Sequence, residues 1–298
     1  MTTASNLNES STRKKHVEFK ISTVIIYVIL SLWAITTLYP FVWVISNAFK
    51  KNSAFSQNSF SLPLGDAFTF ENFTNALDRF SIPTAYKNSL IITIAVTIMV
   101  ILIAGFAAYA LSRYKFKGKK FLQSLVVAAM MFPAFATIIP VYRMLFDWHL
   151  AGTDYQILTQ ISVILPQIAG NLSFAIIVLT GFIKGVPIDL EESAYLEGCN
   201  IFQIFFKIVV PVARPSFATV AIFTFLWSYN DLFTQMFFLR YKEDFTITRL
   251  LNEISSQAGI DYGLMTASVV MIIVPVLIVY ICLQKNIIKG MTVGAVKG

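Results

Sequence analysis

The chain has 298 residues, of which 56% are hydrophobic and only 13% are charged. This composition provides too little polar surface for a soluble domain of this size, so an ordinary soluble protein is excluded. The formal net charge of +7 does not indicate a nucleic-acid partner, because the basic residues lie in short segments between long apolar runs.

Six apolar runs each reach the ~20 residues that a helix needs to cross a bilayer. They predict an all-α integral membrane protein with six transmembrane helices, a multi-pass domain at 21–284 between tails at 1–20 and 285–298. Prolines inside several runs are compatible with this prediction, since neighbouring helices can satisfy the freed carbonyl groups. The predicted spans are Ile21–Ser46, Asn88–Leu111, Phe121–Tyr142, Ile157–Ile183, Ser216–Leu239 and Leu264–Gln284.

The basic residues predict the orientation of the spans, because Lys and Arg accumulate in short cytoplasmic segments. Four lie in 1–20, five lie in 113–120 without any acidic residue, and three lie in 285–298. The segment after the third span is instead acidic, with Asp147 and Asp154. Both termini are therefore expected in the cytoplasm, and the first run is expected to be a retained span rather than a signal peptide.

Two segments are expected on the outer side of the membrane. In the first, 47–87, the apolar residues between Phe68 and Phe80 predict a short amphipathic helix, which either contacts a partner or rests on the rim of the bundle. In the second, 240–263, the tripeptide at 257–259 predicts a flexible turn.

The sequence lacks the groups that would let the chain use chemical energy by itself. It has no phosphate-binding loop of the Walker type, and no Ser, His and Asp set that indicates hydrolysis. Carriers driven by ions usually keep ionisable groups at membrane depth, and the predicted spans contain only Asp231, beside Asn230. The chain is therefore expected to be no enzyme, to bind no metal or cofactor itself, and to obtain energy from a partner.

The segment 184–215, between the fourth and fifth spans, has the character of a protein docking surface. It contains a polar helix, a glycine turn and an apolar helix that ends near Pro211. Asp189 is predicted to cap the polar helix, with Glu192 completing a capping box. Gly198 is expected in the left-handed conformation that ends a helix. The alternative is that the segment is only loop structure.

Residues 192–211 resemble the EAA loop of the membrane subunits of binding-protein-dependent ABC importers. The match consists of Glu192-Ser193-Ala194, Gly198 and Ile208-Val209-Val210-Pro211, with Ser193, Glu197, Cys199 and Val210 in place of the usual Ala, Asp, Ala and Leu. The segment from Trp227 to Phe233 is similar to one in the carbohydrate branch of this family. The ending from Gln284 to Gly298 is similar to the tail of MalG-like subunits.

The resemblance implies a type I ABC importer permease fold and the import of a sugar or oligosaccharide across the cell membrane. In that family a second homologous permease subunit completes the path, and an external sugar-binding protein delivers the substrate. Two ATP-binding subunits bind ATP and Mg²⁺ and perform the hydrolysis. Two other functions stay open: a membrane scaffold or sensor subunit that moves no solute, and a stand-alone carrier.

The resemblance also assigns candidate contacts with other subunits. Contact with an ATP-binding subunit is expected from Glu191, Glu192, Ser193, Ala194, Glu197, Gly198 and Pro211. Contact with the external binding protein is expected from Gln257, Ala258 and Gly259. Contact of the carboxyl-terminal tail with the ATP-binding subunits is expected from Gly290, Gly294 and Lys297.

The fifth span contains candidate residues for the substrate path, because aromatic faces and polar side chains suit a sugar. The candidates are Trp227, Tyr229, Asn230, Asp231 and Gln235. For Asn230 and Asp231 the alternative is that they hold helices together, as polar residues often do inside a membrane bundle.

Overall fold

A computed structural model describes residues 21–257 and 261–295, and these residues form a helical bundle. The helices are α1 (Ile21–Ala48), α2 (Asn52–Gln57), α3 (Glu71–Arg79), α4 (Ile82–Arg113), α5 (Lys119–Ala129), α6 (Ala134–Asp147), α7 (Gln156–Lys184), α8 (Asp189–Leu196), α9 (Ile201–Ile204), α10 (Val210–Val212), α11 (Arg214–Asn230), α12 (Leu232–Phe238), α13 (Ile247–Gln257) and α14 (Tyr262–Ala295). Short 3-10 turns lie at Gly65–Ala67 and Lys242–Asp244, and a π-helical turn lies at Phe205–Val209. The predicted all-α fold is confirmed.

Three helices in the described part of the chain are long and apolar enough to cross a membrane: Thr23–Ala48, Ile82–Arg113 and Gln156–Lys184. They correspond to the first, second and fourth predicted spans. The third and fifth predicted spans are each divided into two helices, so the prediction of one continuous helix is wrong there.

Each of these two breaks has a local cause. Pro133 precedes α6 with extended backbone (ψ 127°), and a proline disfavours helical conformation in the residue before it. Asp231 separates α11 from α12 with φ −73° and ψ 82°, and its side chain caps α12 by accepting a hydrogen bond from the Thr234 amide.

Helix α4 lies at the centre of the bundle, against α7 on one side and α11 on another. Small and branched side chains at every fourth residue let its neighbours approach closely. These are Val96, Val100, Ala104 and Ala108, all fully buried. At Gly105 an added Cβ atom would lie 3.0 Å from a ring carbon of Phe217 and 3.2 Å from one of Phe205. Phe205 of the π-helical turn and Phe217 of α11 therefore pack directly against the backbone of α4.

Helix α1 exposes its apolar side chains and packs mainly along α14. Trp33, for example, is 74% exposed, and none of the most apolar window of α1 is buried. Such a surface is stable only against lipid or another apolar chain.

The segment between α1 and α4 folds onto the end of the bundle. The ammonium group of the buried Lys50 donates hydrogen bonds to the carbonyls of Asn58 (3.1 Å) and Ser61 (2.5 Å), and burial lowers the pKa of this group. Asn72 of α3 donates to the carbonyls of Ala48 and Lys50, both at 2.9 Å. The predicted amphipathic helix is therefore present as α3 and rests on the rim of the bundle, against α14.

Candidate functional site

The polar helix of the segment 184–215 is α8, and it begins one residue earlier than expected. Its N-cap is Ile188 and no side chain caps it, so the predicted cap at Asp189 and the capping box with Glu192 are wrong. The Ile188 carbonyl already accepts hydrogen bonds from the Glu191 and Glu192 amides, at 2.8 and 3.0 Å. A capping box is found instead at α9, where the Asn200 and Gln203 side chains each accept from the other residue's amide.

Helix α8 has one buried and one exposed face. Glu191 and Ala194 are only 7% and 6% exposed, so they face the bundle. The other predicted docking residues of the helix, Glu192, Ser193 and Glu197, are exposed. The same face also exposes two large side chains that the sequence analysis did not select, Tyr195 and Leu196. A polar helix on which Leu196 is 87% exposed is typical of a surface that binds another protein.

Glu191 is held inside the protein by a buried ion pair with Arg113, the last residue of α4. The guanidinium donates to Glu191 Oε1 through Nε at 2.7 Å and lies 2.6 Å away through Nη2. The Tyr109 hydroxyl donates to the second carboxylate oxygen at 3.0 Å. Arg113 Nη2 also donates to the Val186 carbonyl at 2.9 Å, in the linker between α7 and α8.

This arrangement corrects the expectation that Glu191 contacts another subunit. Both charged side chains are at most 10% exposed, and a buried carboxylate is stable only when it is paired and hydrogen-bonded. The sequence distance of 78 residues between the partners hid the pair from local pattern analysis. One guanidinium thus joins the end of α4, the linker after α7, and α8.

The turn after α8 has the predicted left-handed glycine. Gly198 has φ +86°, its amide donates to the Tyr195 carbonyl at 3.0 Å, and the Cys199 amide donates to the Ala194 carbonyl at 3.0 Å. A Cβ atom added at Gly198 would meet no other atom within 4 Å. The constraint at this position is therefore the backbone conformation alone.

Replacing Gly198 by alanine is expected to lower the free energy of unfolding by about 1–2 kcal/mol, because an L side chain disfavours the left-handed conformation. Thermal unfolding of the purified protein in detergent measures the effect. The matched control is Gly170→Ala in α7, where a Cβ atom also meets nothing within 4 Å but the backbone is helical. The control variant should be neutral or slightly more stable; equal losses in both variants would contradict the argument.

The apolar part of the segment anchors it to α4 and then changes direction. Phe205 is buried and stacks on Phe106 with ring centroids 4.6 Å apart, while the exposed Pro211 follows the π-helical turn. A proline lacks the amide that would continue the hydrogen-bond ladder, so it favours such a distortion. The helical stretch Ile201–Val212 meets Arg214–Asn230 at 82°. Pro211 thus shapes the elbow between this segment and α11.

Asp231 lies at the break between α11 and α12 and joins it to α7. Its Oδ2 accepts a hydrogen bond from Gln167 Nε2 at 2.9 Å, while Oδ1 caps α12 through the Thr234 amide at 3.0 Å. Gln167 Oε1 accepts from the Ser228 hydroxyl at 2.6 Å. The sequence analysis did not name Gln167 as a candidate residue. A glutamine inside an apolar span could have indicated a contact between helices.

Two further candidates of the fifth span are also used inside the protein. Gln235 is buried, donates to the Ser228 carbonyl at 3.3 Å and accepts from the Thr246 hydroxyl. Tyr229 is 9% exposed, and its carbonyl accepts from the Thr248 hydroxyl at 2.8 Å. Together with Asp231, these residues hold the helix break in place.

Trp227 and Asn230 lie on the exposed side of α11. Trp227 is 46% exposed, and its ring packs edge-on against Phe174 of α7, with centroids 4.8 Å apart. Asn230 is exposed and donates to the Leu226 carbonyl at 2.8 Å. A partly exposed indole beside an amide is the kind of surface that binds a sugar ring.

The remaining predicted contacts fall partly outside the described residues. Gln257 is the last residue of α13, whereas Ala258, Gly259 and Lys297 lie outside the described part of the chain. Gly290 and Gly294 belong to α14. The contacts assigned to these residues stay predictions.

Comparisons with known proteins extend over most of the chain. A family model described as the binding-protein-dependent transport system inner membrane component matches residues 100–293. The diacetylchitobiose uptake system permease protein NgcG of Streptomyces coelicolor is 32% identical over 270 residues, which cover 90% of this chain and 87% of that protein. The arabinooligosaccharides transport system permease protein AraQ of Bacillus subtilis is 30% identical over 282 residues, or 94% and 96% of the two chains.

The fold is similar to that of a chain in the crystal structure of a bacterial ABC transporter involved in the import of the acidic polysaccharide alginate. The TM-score is 0.76 with 24% sequence identity, and the match covers 89% of this chain and 96% of that one. At this identity the likeness concerns the fold of the chain.

Proposed function

Because the chain belongs to the family of binding-protein-dependent transport system inner membrane components, we propose that it is the permease subunit of an ABC transporter that imports a sugar or oligosaccharide. The names of its relatives support this substrate class, since NgcG and AraQ are permease proteins for diacetylchitobiose uptake and arabinooligosaccharide transport. The chain is a multi-pass subunit of the cell membrane with both termini in the cytoplasm. It is not an enzyme itself: ATP and Mg²⁺ bind to two partner subunits, which hydrolyse the ATP.

The observation that carries the proposal is the braced, two-faced helix α8. Its exposed face, with Glu192, Ser193 and Glu197, docks on an ATP-binding subunit, and Tyr195 and Leu196 add apolar area to that contact. Its buried face is tied to α4 through Glu191. A short helix with rigid attachments transmits a displacement better than a mobile loop does. Closure of the ATP-binding subunits then moves α4 and the helices packed on it.

The sugar path runs beside the exposed side of α11. Trp227 and Asn230 contact the sugar, whereas Asp231, Tyr229 and Gln235 hold the break between α11 and α12 in shape. A second homologous permease subunit completes the path. The external sugar-binding protein contacts the turn that contains Gln257, Ala258 and Gly259, and the tail with Gly290, Gly294 and Lys297 contacts the ATP-binding subunits.

Removing two exposed carboxylates of the docking surface, Glu192 in α8 and Glu197 just after it, in Glu192→Ala/Glu197→Ala, is expected to reduce ATP-dependent sugar uptake at least tenfold. The loss of two charge-assisted contacts weakens docking on the ATP-binding subunits, while the inserted protein stays folded because both residues are exposed. The assay uses vesicles that contain this chain, the second permease and the two ATP-binding subunits, supplied with ATP, the binding protein and a labelled oligosaccharide. The control, Asp78→Ala, removes an exposed carboxylate from α3.

The same vesicles separate the other functions. Normal uptake by the double variant would contradict docking through α8. Assembly of the complex without any ATP-dependent uptake would favour a scaffold or sensor subunit. Uptake by this chain alone, without ATP, would favour a stand-alone carrier.

A further inference from the structure

The segment that joins α4 to α5 has an uncompensated positive charge. Four lysines lie within 115–120 with no acidic residue among them, and none forms an ion pair with another described residue. Lys119 and Lys120 also occupy the first turn of α5, which has no acidic residue and no side-chain cap at Gly118. Two cations at the positive end of a helix repel its dipole. The arrangement is electrostatically unfavourable unless an anion lies nearby.

An open cleft lies beside this segment, between α4, α5 and α7, with a volume of about 220 Å³. At one end it is lined by Lys184, the last residue of α7, and by Gln123, one turn along α5 from Lys119 and Lys120. At the other end it is lined by Ile176 of α7, about 12 Å away along that helix at 1.5 Å per residue. The cleft is therefore basic at its mouth and apolar along its length.

Thr180 supplies an independent sign that the cleft binds a ligand. The residue lines the cleft, and its hydroxyl is buried without a hydrogen-bond partner among the described residues, at 9% exposure of the residue. A threonine in a helix ordinarily donates to the carbonyl four residues earlier, as Thr37 and Thr97 do here. A buried hydroxyl left unpaired is destabilising, so an acceptor from outside the chain is expected at this point.

We propose that this cleft binds one anionic phospholipid of the cytoplasmic leaflet. The phosphate lies among the ammonium groups of Lys119, Lys120 and Lys184, an ester oxygen accepts from the Thr180 hydroxyl, and an acyl chain follows the apolar wall toward Ile176. Basic pockets between membrane helices at this depth suit such headgroups. The proposal rests on the proposed function, which sets the cytoplasmic side of the membrane.

The charges of the two cytoplasmic segments support a lipid rather than a protein as the occupant. The exposed charged residues of the docking surface around α8 are acidic, whereas every charged residue of the segment 115–120 is basic and the segment is joined on both sides to apolar helices. The apolar wall of the cleft can contact an acyl chain, whereas a free phosphate ion would leave that wall uncovered. Charge and apolar surface together match a phospholipid.

Native mass spectrometry of the assembled complex tests the proposal with phosphatidylglycerol as the probe, against phosphatidylcholine. The variant Lys119→Gln/Lys184→Gln is expected to retain phosphatidylglycerol at least tenfold less than the unmodified complex. Lys115→Gln/Lys117→Gln also removes two positive charges, at exposed residues that precede α5 and do not line the cleft, so it should retain the lipid. Thr180→Val, which keeps the shape and removes only the hydroxyl, should reduce retention about threefold.

Several outcomes would overturn the site. An equal loss of phosphatidylglycerol from the two double lysine variants would mean that the lipid is held only by the general positive charge of the surface. Equal retention of phosphatidylcholine and phosphatidylglycerol would mean that the headgroup is not recognised. Full competition by glycerophosphoglycerol, the headgroup without acyl chains, would assign the cleft to a soluble phosphodiester instead of a lipid. A crosslink from Val126→Cys to the second permease would assign it to that subunit. Since lipid retention is measured without transport, a failure of sugar uptake would contradict the proposed function and leave this result standing.

Discussion

Replacing Glu191 by alanine is expected to lower the free energy of unfolding by about 3–5 kcal/mol, because it leaves the Arg113 guanidinium buried without its counter-ion. The Tyr109 hydroxyl loses its acceptor in the same variant. In the assembled transporter, ATP hydrolysis should continue at near its basal rate, while sugar uptake per ATP falls at least tenfold. The two losses have one cause, since the helix that docks on the ATP-binding subunit is then no longer tied to α4.

A double variant separates the structural cost from the coupling role. In Arg113→Met/Glu191→Leu both buried charges are removed together, and such replacements are often neutral for stability. Stability should therefore recover. The uptake per ATP should stay low, because the contact of Arg113 with the Val186 carbonyl and the ion pair that ties α8 to α4 are both absent. Arg113→Lys is expected to be intermediate, since one ammonium group cannot reproduce the contacts of Nε and Nη2 with Glu191 Oε1 together with the Nη2 contact with the Val186 carbonyl.

The matched control is the second ion pair of the described chain, Arg249–Glu253, in α13. Its atoms lie 2.9 Å apart, but the side chains are more exposed, at 16% and 20%, and the residues are four apart on one helix. Glu253→Ala should cost less than Glu191→Ala, because its ion pair is the more exposed of the two. Unfolding in detergent and the ratio of uptake to ATP hydrolysis are measured for each variant. Full coupling in a stable Arg113→Met/Glu191→Leu protein would show that the pair only holds the fold together.

The features that followed from the sequence are those that depend on composition and local backbone chemistry. The long apolar helices α1, α4 and α7 were predicted because length and hydropathy alone determine them. The left-handed Gly198 was predicted because few other residues tolerate that conformation. Glu192 is exposed, which is compatible with the docking contact that the family resemblance implied for it, and that contact stays a prediction.

The features that the sequence did not reveal depend on partners far along the chain or on competing local bonds. Glu191 and Glu192 are adjacent and chemically alike, and only the approach of Arg113 from α4 decides which one is buried. Asp189 lost its predicted capping role because the Ile188 carbonyl satisfies the amides of the first turn. The break at Asp231 was hidden because the apolar pattern continues through both α11 and α12.

Replacing Gln167 by leucine is expected to destabilise the protein by about 1–3 kcal/mol for each buried polar group that loses its partner. The Ser228 hydroxyl loses its acceptor, and one Asp231 oxygen loses its donor. The loss at Asp231 is the smaller of the two, because this residue is only half-buried and water can replace the donor. Asp231→Ala should likewise destabilise the protein, because the amino terminus of α12 loses its cap.

Trp227→Ala is expected to affect transport rather than stability, in contrast to Gln167→Leu and Asp231→Ala. Its stability should change little, while the sugar concentration that gives half-maximal uptake should rise at least tenfold. Trp227 is 46% exposed, so its removal leaves a gap that opens to the surface rather than an enclosed cavity, but it takes away the aromatic face that a sugar ring would contact. Phe233→Ala, an exposed aromatic residue of α12, is the control and should leave half-saturation unchanged. If Gln167→Leu and Asp231→Ala instead change half-saturation without loss of stability, Asp231 belongs to the sugar path rather than to the packing of the break. If Trp227→Ala lowers stability alone, the aromatic surface on α11 packs against the second permease and does not bind the sugar.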